Sequence, residues 1–109
     1  MLHITLTQMQ ALRGASLRNF EQQFMAYLKA RYPGYTESQG EAGMRALLVN
    51  CQLKADTAQI GTEQGIVTVA ELTIRYGAGF QLREPWAQYL FSAYDVSATE
   101  RITRLRSYL

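Results

Sequence analysis

The run from Gly61 to Trp86, GTEQGIVTVAELTIRYGAGFQLREPW, constrains the fold more than any other part of the chain. Thr62 can accept a hydrogen bond from a first-turn amide and so start a helix. Ile66, Val67, Val69, Ala70, Thr73, Ile74 and Tyr76 follow, and they leave little of a helix circumference polar. A helix that is apolar nearly all round belongs at the centre of a fold. Glu71 and Arg75 are spaced i,i+4 and are expected to pair on its one exposed edge. The β-branched residues Val67, Thr68, Val69, Thr73 and Ile74 also suit a strand. Length, cap and i,i+3,i+4 spacing favour the helix. Gly77-Ala-Gly79 stops it, with Gly77 expected in the left-handed position past the helix end. Phe80 then folds back onto that end. Pro85 suits the first position of the next helix, where its missing amide costs nothing.

The rest of the chain reads as helix in the same way. Met9, Leu12, Phe20, Phe24, Tyr27 and Leu28 recur at helical steps, predicting a first helix over 6–32. Thr5 with Gln8 forms a capping box at its start, with Thr7 and Gln10 as an alternative frame, and Gly14-Ala-Ser16 is where so long a helix could kink. Pro33-Gly34 ends it. Tyr35 to Gly43 reads as a polar connector. Within it Thr36 with Gln39 or Ser38 with Glu41 can make a second capping box; the second fits better, opening a helix over 41–58 that carries Met44, Leu47, Leu48, Cys51 and Ala55 inward. Helices over 63–76, 85–93 and 98–107 complete the set. Trp86, Leu90 and Phe91 face inward in the fourth. The fifth is opened by Ser97 with Glu100 and buries Ile102, Leu105 and Leu109. The expectation is an all-α bundle of about five helices, forming a single domain over residues 1–109.

Composition narrows the function classes. With 48% apolar and 18% charged residues, the chain is built to fold rather than to stay disordered. A net charge of +2 is too small to imply nucleic acid or an anionic membrane as partner. No apolar stretch approaches the ~20 residues of a membrane span, and no basic-then-apolar leader opens the sequence. Cys51 is the single cysteine, which excludes an intrachain disulfide. A cytoplasmic protein is expected.

No catalytic or metal-binding set emerges. His3 is the only histidine, so a His-based triad or metal cluster lacks partners. Cys51 lies on an apolar stripe, where a thiol is structural rather than nucleophilic. The nine carboxylates are scattered, mostly at helix starts or beside a basic residue. Neither glycine-rich turn is followed by a phosphate-binding lysine. No cofactor is expected. Arg83, Arg101, Arg104 and Arg106 could form a basic patch, or simply a solvated helix end. Seven tyrosines stand near helix ends and stripe edges. Tyrosine is favoured where an apolar ring must meet a partner while its hydroxyl stays satisfied. The candidate protein-binding residues are Tyr27, Arg31, Tyr32, Tyr35, Tyr94, Arg101, Arg104 and Tyr108.

Several motifs run in order along the chain. They are Leu6-Thr7 with Gln8 and Gln10, Phe20 and Phe24, Gln39-Gly-Glu-Ala-Gly-Met-Arg-Ala-Leu47, Ile60-Gly-Thr-Glu63, Tyr76-Gly-Ala-Gly-Phe80 and Pro85-Trp86. On these the sequence resembles small uncharacterised helical bacterial proteins encoded beside type VI secretion spike and PAAR-tip effector genes. The resemblance implies a non-enzymatic cytoplasmic accessory: an adaptor or chaperone that binds a secreted effector or a spike component. An immunity protein that neutralises a cognate toxin is the alternative it allows.

Overall fold

The computed structural model describes residues 17–109, and these are all-α, with no strand among them. The capping box at Thr5, the kink expected at Gly14 to Ser16 and the lone His3 lie outside the described residues. The helices are α1 (Leu17–Arg31), α2 (Pro33–Thr57), α3 (Glu63–Tyr76), α4 (Phe80–Arg83), α5 (Pro85–Ser92) and α6 (Ala98–Arg106). Two compact units can be described along the chain, Met1–Leu48 and Val49–Leu109, which meet within α2.

In the first unit, α1 buries Phe20, Phe24, Tyr27 and Leu28, the stripe expected from the sequence. Lys29 and Arg31 stand in its last turn, where positive charge complements the helix dipole. The Tyr32 amide donates to the Leu28 carbonyl at 2.7 Å and closes α1. The Tyr32 carbonyl accepts from the Thr36 amide at 3.0 Å and opens α2. No polar connector intervenes. Pro33 begins α2 because a helix start has no use for the amide that proline lacks. The connector expected over 35–43 is therefore mostly helical. Ser38 does not cap; its hydroxyl donates to the Tyr35 carbonyl at 2.9 Å. The regular turns are interrupted at Gly40, with φ 70° and ψ 176°. The expected start at Glu41 marks the far side of this break.

In the second unit, α3 occupies the predicted span. The Thr62 hydroxyl accepts from the Gly65 amide at 3.0 Å, and every residue from Gly65 to Leu72 is buried. Gly65 itself is required, since a Cβ there would collide with the Ile60 carbonyl. Helix α6 packs against α3 and α5, and α4 packs against α3 and α5. Ser97 caps α6 by accepting from the Glu100 amide at 3.2 Å, and Pro85 stands in the first turn of α5.

Three expectations in this unit are corrected. Glu71 does not pair with Arg75 on an exposed edge. It is fully buried and takes Arg106 at 3.1 Å, because α6 packs over that side of α3. Gly77 has φ 92° and ψ 159°, outside the left-handed helical well, and that well is occupied by Gly79 instead (φ 80°, ψ 10°). Phe80 is fully buried as expected, but it starts the one-turn helix α4, which the sequence did not signal. Around Phe80 the aromatic rings interlock. Trp86 lies parallel to Tyr108 with centroids 3.9 Å apart, and Tyr76 meets Trp86 edge-on at 5.3 Å.

Candidate functional site

A groove of about 1300 Å³ lies within the first unit, between α1 and the N-terminal part of α2. It is wider than the ~300–1,000 Å³ of small-molecule sites and open along one side. Met25 and Ala26 line it from α1, and Gly40 and Met44 from α2. Methionine side chains suit such a lining because they are unbranched and adapt to what they meet.

Two links within the chain join the helices that line the groove. One is the Tyr32 turn. In the other, Arg45 bridges them: its Nε donates to Glu21 Oε1 on α1 at 3.0 Å, and its Nη2 donates to Glu41 Oε1 at 2.7 Å. These groups are exposed, so each pair is worth only ~0.2–1 kcal/mol in stability. Their use is positional, fixing the distance between the walls. Lys29 lines the groove from one wall and Glu37 from the other, and both are exposed. Neither makes an ion pair among the described residues. The groove thus offers an apolar floor that includes Met25 and Met44 beneath a polar rim, with one charge of each sign that pairs with no described residue on opposite lips.

None of the eight residues singled out from the sequence lines this groove. In the first unit Tyr27 is buried, with the exposed Arg31 guanidinium 5.6 Å from its ring centroid, and Tyr32 and Tyr35 are half-buried. In the second unit Tyr94 is exposed, and Tyr108 is exposed at its edge while stacked on Trp86. Arg104 pairs with Glu100 at 3.2 Å on the surface of α6.

Arg101 is a correction, because at 2% exposure it is not a surface residue. Its Nε donates to the Val96 carbonyl at 3.1 Å. Its Nη1 donates to the carbonyls of Ala58 at 2.7 Å and Leu90 at 3.2 Å. Nη2 reaches the Gln59 carbonyl at 3.4 Å. The Ala58, Gln59 and Leu90 carbonyls sit at the C-terminal ends of α2 and α5, where helices leave acceptors unsatisfied and carry partial negative charge, and Val96 lies in the loop before α6. The guanidinium fork joins two helix ends from inside. The position of Arg101 on its own helix gave no sign of this, since two of the carbonyls, those of Ala58 and Gln59, lie more than forty residues away in sequence.

The other reactive groups are also occupied structurally. Burial pushes the Cys51 thiol up to about 11, with smaller opposing effects from nearby Lys54 and a hydrogen bond to Thr73. A thiol held protonated at neutral pH is not a nucleophile. Among the described residues no group of three or more His, Cys, Asp or Glu side chains is placed to hold a metal ion. No described helix is long and apolar enough to cross a membrane. The sequence signals for the groove were faint. Met25 and Ala26 face away from the main α1 stripe, and Gly40 interrupts an otherwise helical segment. No protein-family model, curated protein or solved structure matches the chain.

Proposed function

We propose that the chain is a non-enzymatic protein-binding accessory whose α1–α2 groove receives an amphipathic helix of its partner. The observation that carries the reading is the groove itself: two helical walls, Met25 and Met44 in its lining, and opposite charges at Lys29 and Glu37 that pair with no described residue. Amphipathic helices bind by laying an apolar face into such a groove. The lining residues of α1 span Glu21 to Lys29, or ~12 Å at 1.5 Å per residue, room for about two turns of a bound helix. A basic residue on that helix would meet Glu37, and an acidic one Lys29.

The identity of the partner rests on the motifs quoted above and their resemblance to proteins encoded beside type VI secretion genes. On that basis the partner is a secreted effector or a spike component, and the chain acts as its adaptor or chaperone in the bacterial cytoplasm. Co-expression with the effector and spike proteins encoded beside its own gene, followed by affinity purification, tests this. A stoichiometric complex with one of them is expected, and no complex with any of them would end the reading. Cells expressing the effector alone separate the roles. An adaptor changes its secretion and leaves its toxicity intact, whereas relief of toxicity would assign the chain to immunity instead.

A further inference from the structure

We propose that Gly40 is a hinge: its torsion holds the α1–α2 groove open, and the groove flattens when Gly40 turns helical. This concerns the same groove as the proposed function. It is read out by a distance within the chain, so it stands or falls without any partner.

Gly40 has φ 70° and ψ 176°, with helical residues on both sides. These torsions are the mirror image of an extended L-residue, so glycine alone reaches them without strain. Among the described residues, space is not what requires glycine there, because a Cβ on Gly40 would meet none of their atoms within 4 Å. The conformation is the requirement. The two segments that meet at Gly40 are each secured at their outer ends. The Tyr32 turn anchors Pro33–Gln39 to α1 through the Leu28 and Thr36 bonds. The Arg45 bridge to Glu21 anchors the following turns to α1. A wall fixed at both ends and bent in the middle is an arch. Gly40 sits at the bend and lines the space beneath it. Glycine also populates the helical region, and no described side chain stands where a Cβ on Gly40 would be, so the bend can relax by a change of torsion at this residue.

Two stereoisomers of one side chain test the hinge with opposite expectations. L-alanine disfavours positive φ and favours helix, so Gly40→Ala should flatten the arch. D-alanine prefers the mirror-image torsions that Gly40 adopts, so Gly40→D-alanine should keep it. The full chain with D-alanine can be assembled by ligating residues 1–50 to 51–109 at Cys51. Spin labels at Gln22→Cys and Glu37→Cys, one exposed position on each wall, report the width of the groove. Labelling the folded protein spares the buried Cys51. The expected result is a distance distribution shifted shorter in Gly40→Ala and superimposed on the parent in Gly40→D-alanine. A parent-like distribution in Gly40→Ala, or a shifted one in Gly40→D-alanine, would overturn the proposal. Should Gly40→Ala fail to fold, the D-alanine protein decides by the same criterion.

Discussion

Arg106 Nη1 donates to Glu71 Oε2 at 3.1 Å, and Glu71 is completely out of solvent while Arg106 keeps about a quarter of its side chain exposed. The same nitrogen donates to the Thr68 hydroxyl at 3.0 Å. A carboxylate is buried in the most apolar helix of the chain because a helix thirty-five residues later brings it a cation. Removing the cation alone should be costly, since it leaves Glu71 buried without its arginine. Arg106→Ala is expected to lose ~2–4 kcal/mol in urea unfolding, somewhat below the range for fully buried pairs because Arg106 is partly wet. Replacing both groups, in Glu71→Leu with Arg106→Leu, should recover most of that loss.

Arg101 makes a related prediction without a carboxylate. Its planar fork reaches four carbonyls at once, a geometry that lysine cannot copy. Arg101→Lys should therefore destabilise the fold nearly as much as Arg101→Ala, each by ~2–4 kcal/mol. Chemical denaturation of the two variants side by side provides the comparison. A lysine variant as stable as the parent would show that charge, and not the fork, is what the site needs.

These two pairs mark where sequence reading runs out. The span of α3, its Thr62 cap, the Ser97 cap and the Pro85 start depend on neighbours within four residues, and all were legible. So was the buried stripe of Phe20, Phe24, Tyr27 and Leu28, because helical periodicity reports which face is covered. The burial of Glu71 and Arg101 was not legible, because Glu71 takes its arginine from thirty-five residues on and Arg101 takes two of its four carbonyls from more than forty residues back. On local grounds a glutamate four residues before an arginine reads as a surface pair. Pro33 misled for a different reason: proline ends one helix and begins another equally well, and the intervening connector is reduced to Tyr32 alone. The groove was illegible because its shape comes from torsions at Gly40, and a glycine in a sequence does not declare which torsions it will take.

The turn after α3 separates two kinds of glycine. Gly79 is in the left-handed helical well, which other residues enter at modest cost, whereas Gly77 has torsions that are nearly glycine-only. Arg83 fixes this turn by donating to the carbonyls of Ala78 at 2.7 Å and Tyr76 at 2.8 Å. Gly77→Ala should cost ~2–3 kcal/mol and Gly79→Ala ~1 kcal/mol. Thermal melts of the two variants should keep that order.

Cys51 gives a pH dependence. Its folded-state value is raised from 9.0 to about 11 by burial. Below pH 9 the thiol is protonated in both folded and unfolded chains and contributes no pH dependence. Above that, the unfolded chain loses the proton first, so stability falls as pH rises towards 11. The expected loss across this window is ~2–3 kcal/mol. Comparison with Cys51→Ala isolates it from tyrosine and lysine titration: the alanine variant should lack this part of the decline. A thiol reagent at pH 8 should likewise label Cys51 only in denaturant.

The central claim is that the α1–α2 groove is the binding surface. Calorimetric titration of the chain against the effector or spike protein that co-purifies with it tests this most directly, using parent, Ala26→Asp and Leu82→Ser. Ala26 is an exposed residue of the groove. Leu82 is 74% exposed and belongs to the other packing unit. A buried charge facing an apolar segment should weaken the complex at least about tenfold in Ala26→Asp, while Leu82→Ser keeps the parent Kd. An unchanged Kd in Ala26→Asp, with the variant still folded, would place the binding surface elsewhere and contradict the account.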